Sequence, residues 1–219
     1  MRKFKSLLLM AVAVAATTFQ TSAQELRGGV EAGLNLSRPE FHEAKATTCG
    51  FYVGVKGELG LKSATKGWFI DGAMLLSSKP MLTKSGFVDY SAITPSLTGK
   101  YVEQGSFTPY YLEFPFHIGY KFRIADGYTI YPSAGPYVAL GLFGKTTWEG
   151  FNADNGEKFT TSYGSPFKNG YKRFDGGVNF AVGVEIQKHF QVNLKYSMGF
   201  VENNCFYNRV FSAGVAWMF

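Results

Sequence analysis

The chain is poor in the residue types that most often announce chemistry. It has 2 cysteines and 3 histidines in 219 residues, and neither recurs at the close spacing of a metal site. No glycine-rich phosphate loop and no nucleophile motif occurs, so no cofactor is expected. Lysine and arginine are scattered rather than clustered as a phosphate-neutralising surface requires, which argues against a nucleic-acid partner. After the first two dozen residues, no apolar stretch reaches the about 20 residues that a helix needs to cross a bilayer.

What the chain has is aromatic residues, glycine and alternation. There are 21 Phe, 13 Tyr and 26 Gly. In Phe211–Phe219, Phe211, Ala213, Val215, Trp217 and Phe219 alternate with Ser212, Gly214 and Ala216. A period of two places one set on each face of a strand. An apolar face against lipid and a small-residue face turned inward describe the closing strand of a transmembrane barrel. Trp217 and Phe219 stand where an aromatic girdle meets the membrane interface.

The other end agrees. Arg2, Lys3 and Lys5 precede an apolar run from Leu7 to Phe19 and the small residues Thr21-Ser22-Ala23, the order of a secretory signal peptide. Residues 1–23 are expected to be removed, leaving one barrel domain over 24–219. Removal takes three of the six net positive charges with it. No cysteine follows the cleavage site, so no lipid anchor is expected. An exported chain without an apolar helix reaches a membrane only as a closed barrel, which places it in the outer membrane.

Period-two patterning predicts eight strands: Gly29 to Ser37, Gly50 to Lys62, Trp68 to about Ser78, Tyr110 to Arg123, Tyr128 to about Gly144, Arg173 to Gln187, Gln191 to Val201, and a last one ending at Phe219. Pro115 predicts a bulge or a break in pairing. Turns near Ser63, Asp126 and His189 are short. The linkers 38–49, 79–105, 145–170 and 202–207 are longer and are expected outside the cell. The predicted fold is all-β, an eight-stranded antiparallel up-and-down transmembrane β-barrel, complete as a monomer. A soluble lipocalin-like barrel is the alternative. It would turn the apolar face inward, where glycine and charge are crowded instead.

Several short motifs carry a family resemblance: Tyr110-Tyr111-Leu112-Glu113-Phe114-Pro115, Lys121-Phe122, Arg173-Phe174-Asp175-Gly176-Gly177, Gly183-Val184-Glu185 and Asn208-Arg209-Val210-Phe211. With these, the chain resembles the PorT-like outer-membrane β-barrel proteins of Bacteroidetes, a porin family. The resemblance implies an outer-membrane barrel. Because some members are linked to protein secretion, it also implies an extracellular or secretion-system protein as a candidate partner, beside outer-membrane lipid.

The inward rows carry the candidate site: Glu31, Lys56, Glu58, Asp71, Glu113, His117, Lys121, Arg173, Asp175, Glu185 and Lys195. Eight strands enclose just enough room for side chains. These charges are therefore expected to pair as a polar core. The alternative is a narrow path for small solutes or protons. Catalysis on lipid is a distant third, since it needs His and Ser together on the outer rim. His42 falls in a loop, His189 in a turn and His117 inside, so no catalytic residue and no enzyme activity are expected. Cys49 and Cys205 lie in loops that ring closure makes neighbours, and an exported chain permits a disulfide between them. Trp148, Phe151, Phe159, Tyr163 and Phe167 in one loop, with Tyr90, Ile93, Leu97 and Tyr101 in another, read either as a binding surface or as hairpins extending the strands. The expected function is a structural or interaction role carried by the extracellular loops.

Overall fold

Alternation between large apolar and small or polar residues runs through eight long strands, and it decides how they close. The computed structural model describes residues 25–38, 47–61, 63–83, 86–89, 100–152, 156–168, 170–202 and 206–219. Within them run β1 (Glu25–Ser37), β2 (Thr48–Gly60), β3 (Gly67–Ser78), β4 (Met81–Leu82), β5 (Gly86–Asp89), β6 (Lys100–Ala125), β7 (Tyr128–Asn152), β8 (Lys158–Gly164), β9 (Phe174–Ile186), β10 (Phe190–Gly199) and β11 (Arg209–Met218). All pairings are antiparallel. The ring β1-β2-β3-β6-β7-β9-β10-β11 closes where β11 returns to β1, with Gly33 opposite Gly214 and Leu36 opposite Phe211.

The two faces have opposite chemistry. Outward stand Val30, Leu34, Phe51, Val53, Phe116, Ile118, Phe180, Val192, Leu194 and Val215, all large and exposed. Inward stand the buried charges together with Tyr52, Tyr111, Tyr131 and Tyr137, each 1 or 2 % exposed. Glycines across the ring leave room for those rings. A Cβ at Gly183 would collide with the Tyr131 ring, and one at Gly33 or Gly214 with that of Tyr52. Aromatic girdles flank the apolar band, as transmembrane barrels require. Trp68 and Tyr120 meet edge to face at one end, where Trp217 also lies, and Phe51, Tyr110 and Phe143 cluster at the other.

Short turns gather at the Trp217 end. Asp126 and Gly127 join β6 to β7, with Gly127 at φ 81° as a tight hairpin turn favours. Gln187 to His189 joins β9 to β10. At the opposite end β6 and β7 outrun the ring. They stay paired out to Tyr101 opposite Asn152, with β5 on the flank of β6 and β8 on that of β7. The long connections 79–105 and 145–170 hold strands, so, of the two readings of their aromatic residues, Trp148, Phe151, Phe159 and Tyr163 follow the hairpin one; Tyr90, Ile93 and Leu97 lie outside the described residues. Pro115 causes no bulge. It sits buried inside the ring, between the β3 pairs Gly72–Phe116 and Leu75–Glu113, so the ladder skips there without changing register. The β6–β7 ladder instead shifts register at Leu142, the extra β7 residue between Tyr110–Phe143 and Tyr111–Gly141, and at Ile124, the extra β6 residue between Arg123–Thr129 and Ala125–Tyr128.

Candidate functional site: a packed interior and a projecting hairpin

Three tiers of polar side chains fill the ring. At the turn end, Lys121 donates to Glu58 (2.5 Å) and Glu185 (2.8 Å), and Arg27 reaches the same two carboxylates, Glu185 at 2.7 Å. Gln191 donates to Glu185 at 2.8 Å. The β2–β3 turn folds over this tier. Ala64 is buried, its carbonyl accepts from Lys121 at 2.8 Å, and its N–H donates to Glu25 at 2.9 Å.

In the middle tier, Asp71 sits between Lys56 (3.2 Å) and His117 Nδ1 (2.7 Å), and His117 Nε2 lies 3.3 Å from the Asn179 amide. Glu31 accepts from Asn193 at 3.4 Å, and Lys195 lies over the Tyr52 ring. The space left among these residues is a cavity of about 20 Å³, enough for one water. The upper tier joins Lys79 to Glu113 (3.0 Å) and Asp175 (3.1 Å), with Asn208 and Tyr137 donating to Asp175. Above it Phe167 packs edge-on against Tyr111, and Phe107 and Tyr171 stack beside Phe206 and Met81.

Five buried cations, Arg27, Lys56, Lys79, Lys121 and Lys195, thus face six buried carboxylates, Glu31, Glu58, Asp71, Glu113, Asp175 and Glu185, with His117 among them. A lone buried ion costs several kcal/mol, and pairing with hydrogen bonds offsets that cost. Near-balance of charge is what allows so many ions in so small a volume.

Ten of the eleven residues expected inside are buried there, and Arg173 is not. It precedes β9 at a bend, so the strand's alternation does not reach it. Its guanidinium instead donates to the Gly141 and Leu142 carbonyls of β7 and lies over Phe167. Two members of the network escaped sequence reading. Arg27 continues the inward row of β1 before its expected start, and Lys79 follows the inward pair Ser77–Ser78 just past β3. Trp217 and Phe219 point outward, 50 and 69 % exposed. His189 Nδ1 lies 2.9 Å from the Met218 carbonyl oxygen, and its ring stacks on Trp217. His42 lies outside the described residues. The Cys49 thiol is free and exposed on the outward row of β2; Cys205 lies outside the described residues. No group of three metal-ligating side chains occurs among the described residues.

The family described as outer membrane protein beta-barrel domain matches residues 20–203. No curated protein matches the chain. Among solved structures, Ail, the attachment invasion locus protein of Yersinia pestis, is similar at 14 % identity, with 91 % of this chain and all of that one covered and a TM-score of 0.40. Neisserial surface protein A aligns at 12 % identity over 90 % of this chain and all of that one, with a TM-score of 0.38. A mutant Rh. blastica porin aligns at 7 % identity over the same share of this chain and all of its own, with a TM-score of 0.23.

Proposed function

Because the chain belongs to the outer membrane protein beta-barrel domain family and so resides in the outer membrane, we propose that it is a non-conducting barrel whose work is done by its loop-end hairpin. The observation that carries this reading is the filled interior. Ion-paired tiers, the Ala64 turn and the aromatic cap occupy the ring, and the middle-tier cavity holds about 20 Å³, while the upper ends of β6 and β7, flanked by β5 and β8, stand clear of the ring. From Gly144 to Asn152, β7 adds about 30 Å of extended chain beyond the girdle.

In this reading residues 1–23 are the export signal, the long connections face outward, and the polar core takes the place that a hydrophobic core holds in a soluble domain. The partner is an extracellular or secretion-system protein, as the PorT-like resemblance to Bacteroidetes proteins implies. No catalysis is assigned: His117 is held between Asp71 and Asn179, inside the ring and away from any lipid.

Two measurements test this. The refolded protein in a planar bilayer is expected to be silent; stable stepwise openings would replace this reading with that of a narrow solute channel. A photo-crosslinking residue at Thr147 or Ser162 is expected to capture a protein partner on whole cells. A chain in which short turns join Leu82 to Ser106 and Thr146 to Gly164, each pair being opposite in the ladder, keeps the ring and should lose that capture.

A further inference from the structure

The upper ends of β6 and β7 carry β5 on one flank and β8 on the other, and these outer strands close the small sheet differently. A rim strand presents unpaired N–H and C=O groups, and short length, proline or charge keeps such a rim from pairing with another chain. β5 has four residues, and β4, which follows Pro80, has two. β8 runs for seven residues without proline, and Lys158 is its one charge. Among the described residues no strand lies beyond it.

One hydrogen bond fixes the direction of its backbone groups. The Glu157 carbonyl accepts from the Asn152 N–H of β7 at 2.8 Å, so the Glu157 backbone is turned toward β7. Along an antiparallel strand, successive residues turn their N–H and C=O groups to opposite edges. Phe159 and Thr161 therefore bond to β7, opposite Gly150 and Trp148. Lys158, Thr160 and Ser162 aim theirs away from the sheet, and all three residues are exposed. Gly156 and Gly164, both at φ 74°, bracket this stretch. Tyr163, the extra residue where the β7–β8 ladder shifts register, lies past the last of the outward groups.

We infer that this edge takes an extended segment of the protein partner as an added strand, antiparallel to β8. The inference rests on the reading of the hairpin as a protein-binding element and names how it binds. Main-chain hydrogen bonds to Lys158, Thr160 and Ser162 hold the segment, and its alternate side chains set its identity. One face of the segment lies beside Phe159 and Thr161, which continue the row of Gly150 and Trp148, so β-branched or aromatic residues suit it. The other lies beside Ser162, Thr160 and Lys158, where hydroxyls and a carboxylate suit it. A second copy in the same membrane does not fit. A two-fold axis along the membrane normal keeps both β8 strands descending, so they cannot pair antiparallel.

The test uses a synthetic peptide of alternating valine and threonine with one glutamate near its C-terminus, the end that antiparallel addition brings to Lys158. It is added to the refolded full chain in detergent micelles, and amide hydrogen exchange is followed by NMR. Without peptide, the Thr160 and Ser162 amides are expected to exchange fast and those of Phe159 and Thr161 slowly; with peptide, the first pair should become slow as well. The same peptide N-methylated at every other residue should protect nothing. Thr160→Pro removes an N–H that β7 does not use, so the variant should keep its heat-modifiable migration. It should bind the peptide roughly tenfold more weakly for the lost hydrogen bond, while Thr160→Ala should bind as the unaltered chain does. Thr160 and Ser162 amides already slow without peptide, or still fast with it, overturn the edge, and so does equal binding by the folded Thr160→Pro chain. The exchange measurement needs no native partner, so the two readings fail separately: capture from Thr147 that survives Thr160→Pro keeps the hairpin's role and removes only this mode of binding.

Discussion

The lower and upper halves of the β6–β7 hairpin use the same two strands and reverse their polarity. Below Tyr110, Phe116, Ile118 and Phe122 face outward and Glu113, His117 and Lys121 face inward. Above it the row that continues outward on β6 is Thr108, Ser106 and Gln104, while Phe107 turns in to meet Trp148 and Tyr171. On β6 the alternation runs unbroken across the boundary, so geometry does not decide which chemistry goes where on that strand. The medium does. Lipid outside and a crowded interior demand apolar-out and polar-in, whereas water outside restores the ordinary order. The bulge at Leu142 sits at the border. It places Leu142 and Phe143 both outward, and above it the inward parity of β7 changes from Ala139 and Gly141 to Thr146 and Trp148.

The comparison breaks most severely from inside the lower half. Lys121→Met would leave Glu58 and Glu185, both 1 % exposed, with Arg27 as their remaining cation. Removing one partner of a buried ionic network costs about 3 to 5 kcal/mol, and reversible urea unfolding in lipid vesicles should show that loss. A cost under 1 kcal/mol would mean that water, rather than pairing, supports these carboxylates, and the packed-core account would fall with it.

These tiers also show how far sequence alone reached. Alternation in β1, β2, β9, β10 and β11 was strong enough to place every described inward charge of those strands except Arg27, because a one-residue slip would have turned all of them to lipid. Arg27 and Lys79 lie just beyond the expected strand ends, where no apolar neighbour fixes the phase. Arg173 shares the parity of Asp175 but precedes the first strand residue, so parity says nothing of it. The strand bounds of the upper hairpin were not legible, only its hairpin character as one of two readings, because the outward row loses its apolar signal once it leaves the membrane. The turn at Ala64 gave no signal, since folding inward over Lys121 depends on contacts distant in sequence.

Packing inside the ring should be next in sensitivity to a change of one methyl group. Gly183→Ala would drive a Cβ into the Tyr131 ring, which is buried against Phe69. Overpacking of this kind costs about 1 to 3 kcal/mol. The same urea titration reads it, and Gly183→Ala combined with Tyr131→Phe should recover little, because the collision involves the ring as well as the hydroxyl. Full recovery would place the strain on the hydroxyl alone.

The outward row offers the sharpest form of the comparison, since one substitution can be made on either side of the girdle. Leu194→Arg places a charge on the β10 face in mid-band, where Leu194 is 45 % exposed; such a charge costs about 2 to 4 kcal/mol at the bilayer midplane. Thr147→Arg makes the same change on the outward row of β7 above Phe143, and a surface change of that kind stays within about 0.5 kcal/mol. Thr147 faces Ser106 on one side and Ser162 on the other, so the added side chain meets hydroxyls and water rather than acyl chains. Measured in one lipid and one denaturant, the difference between the two variants reports the change of medium at the girdle. Equal costs would mean that the membrane rises above Phe143 and that the hairpin lies within it, and the polarity reversal along β6 and β7 would then need another cause.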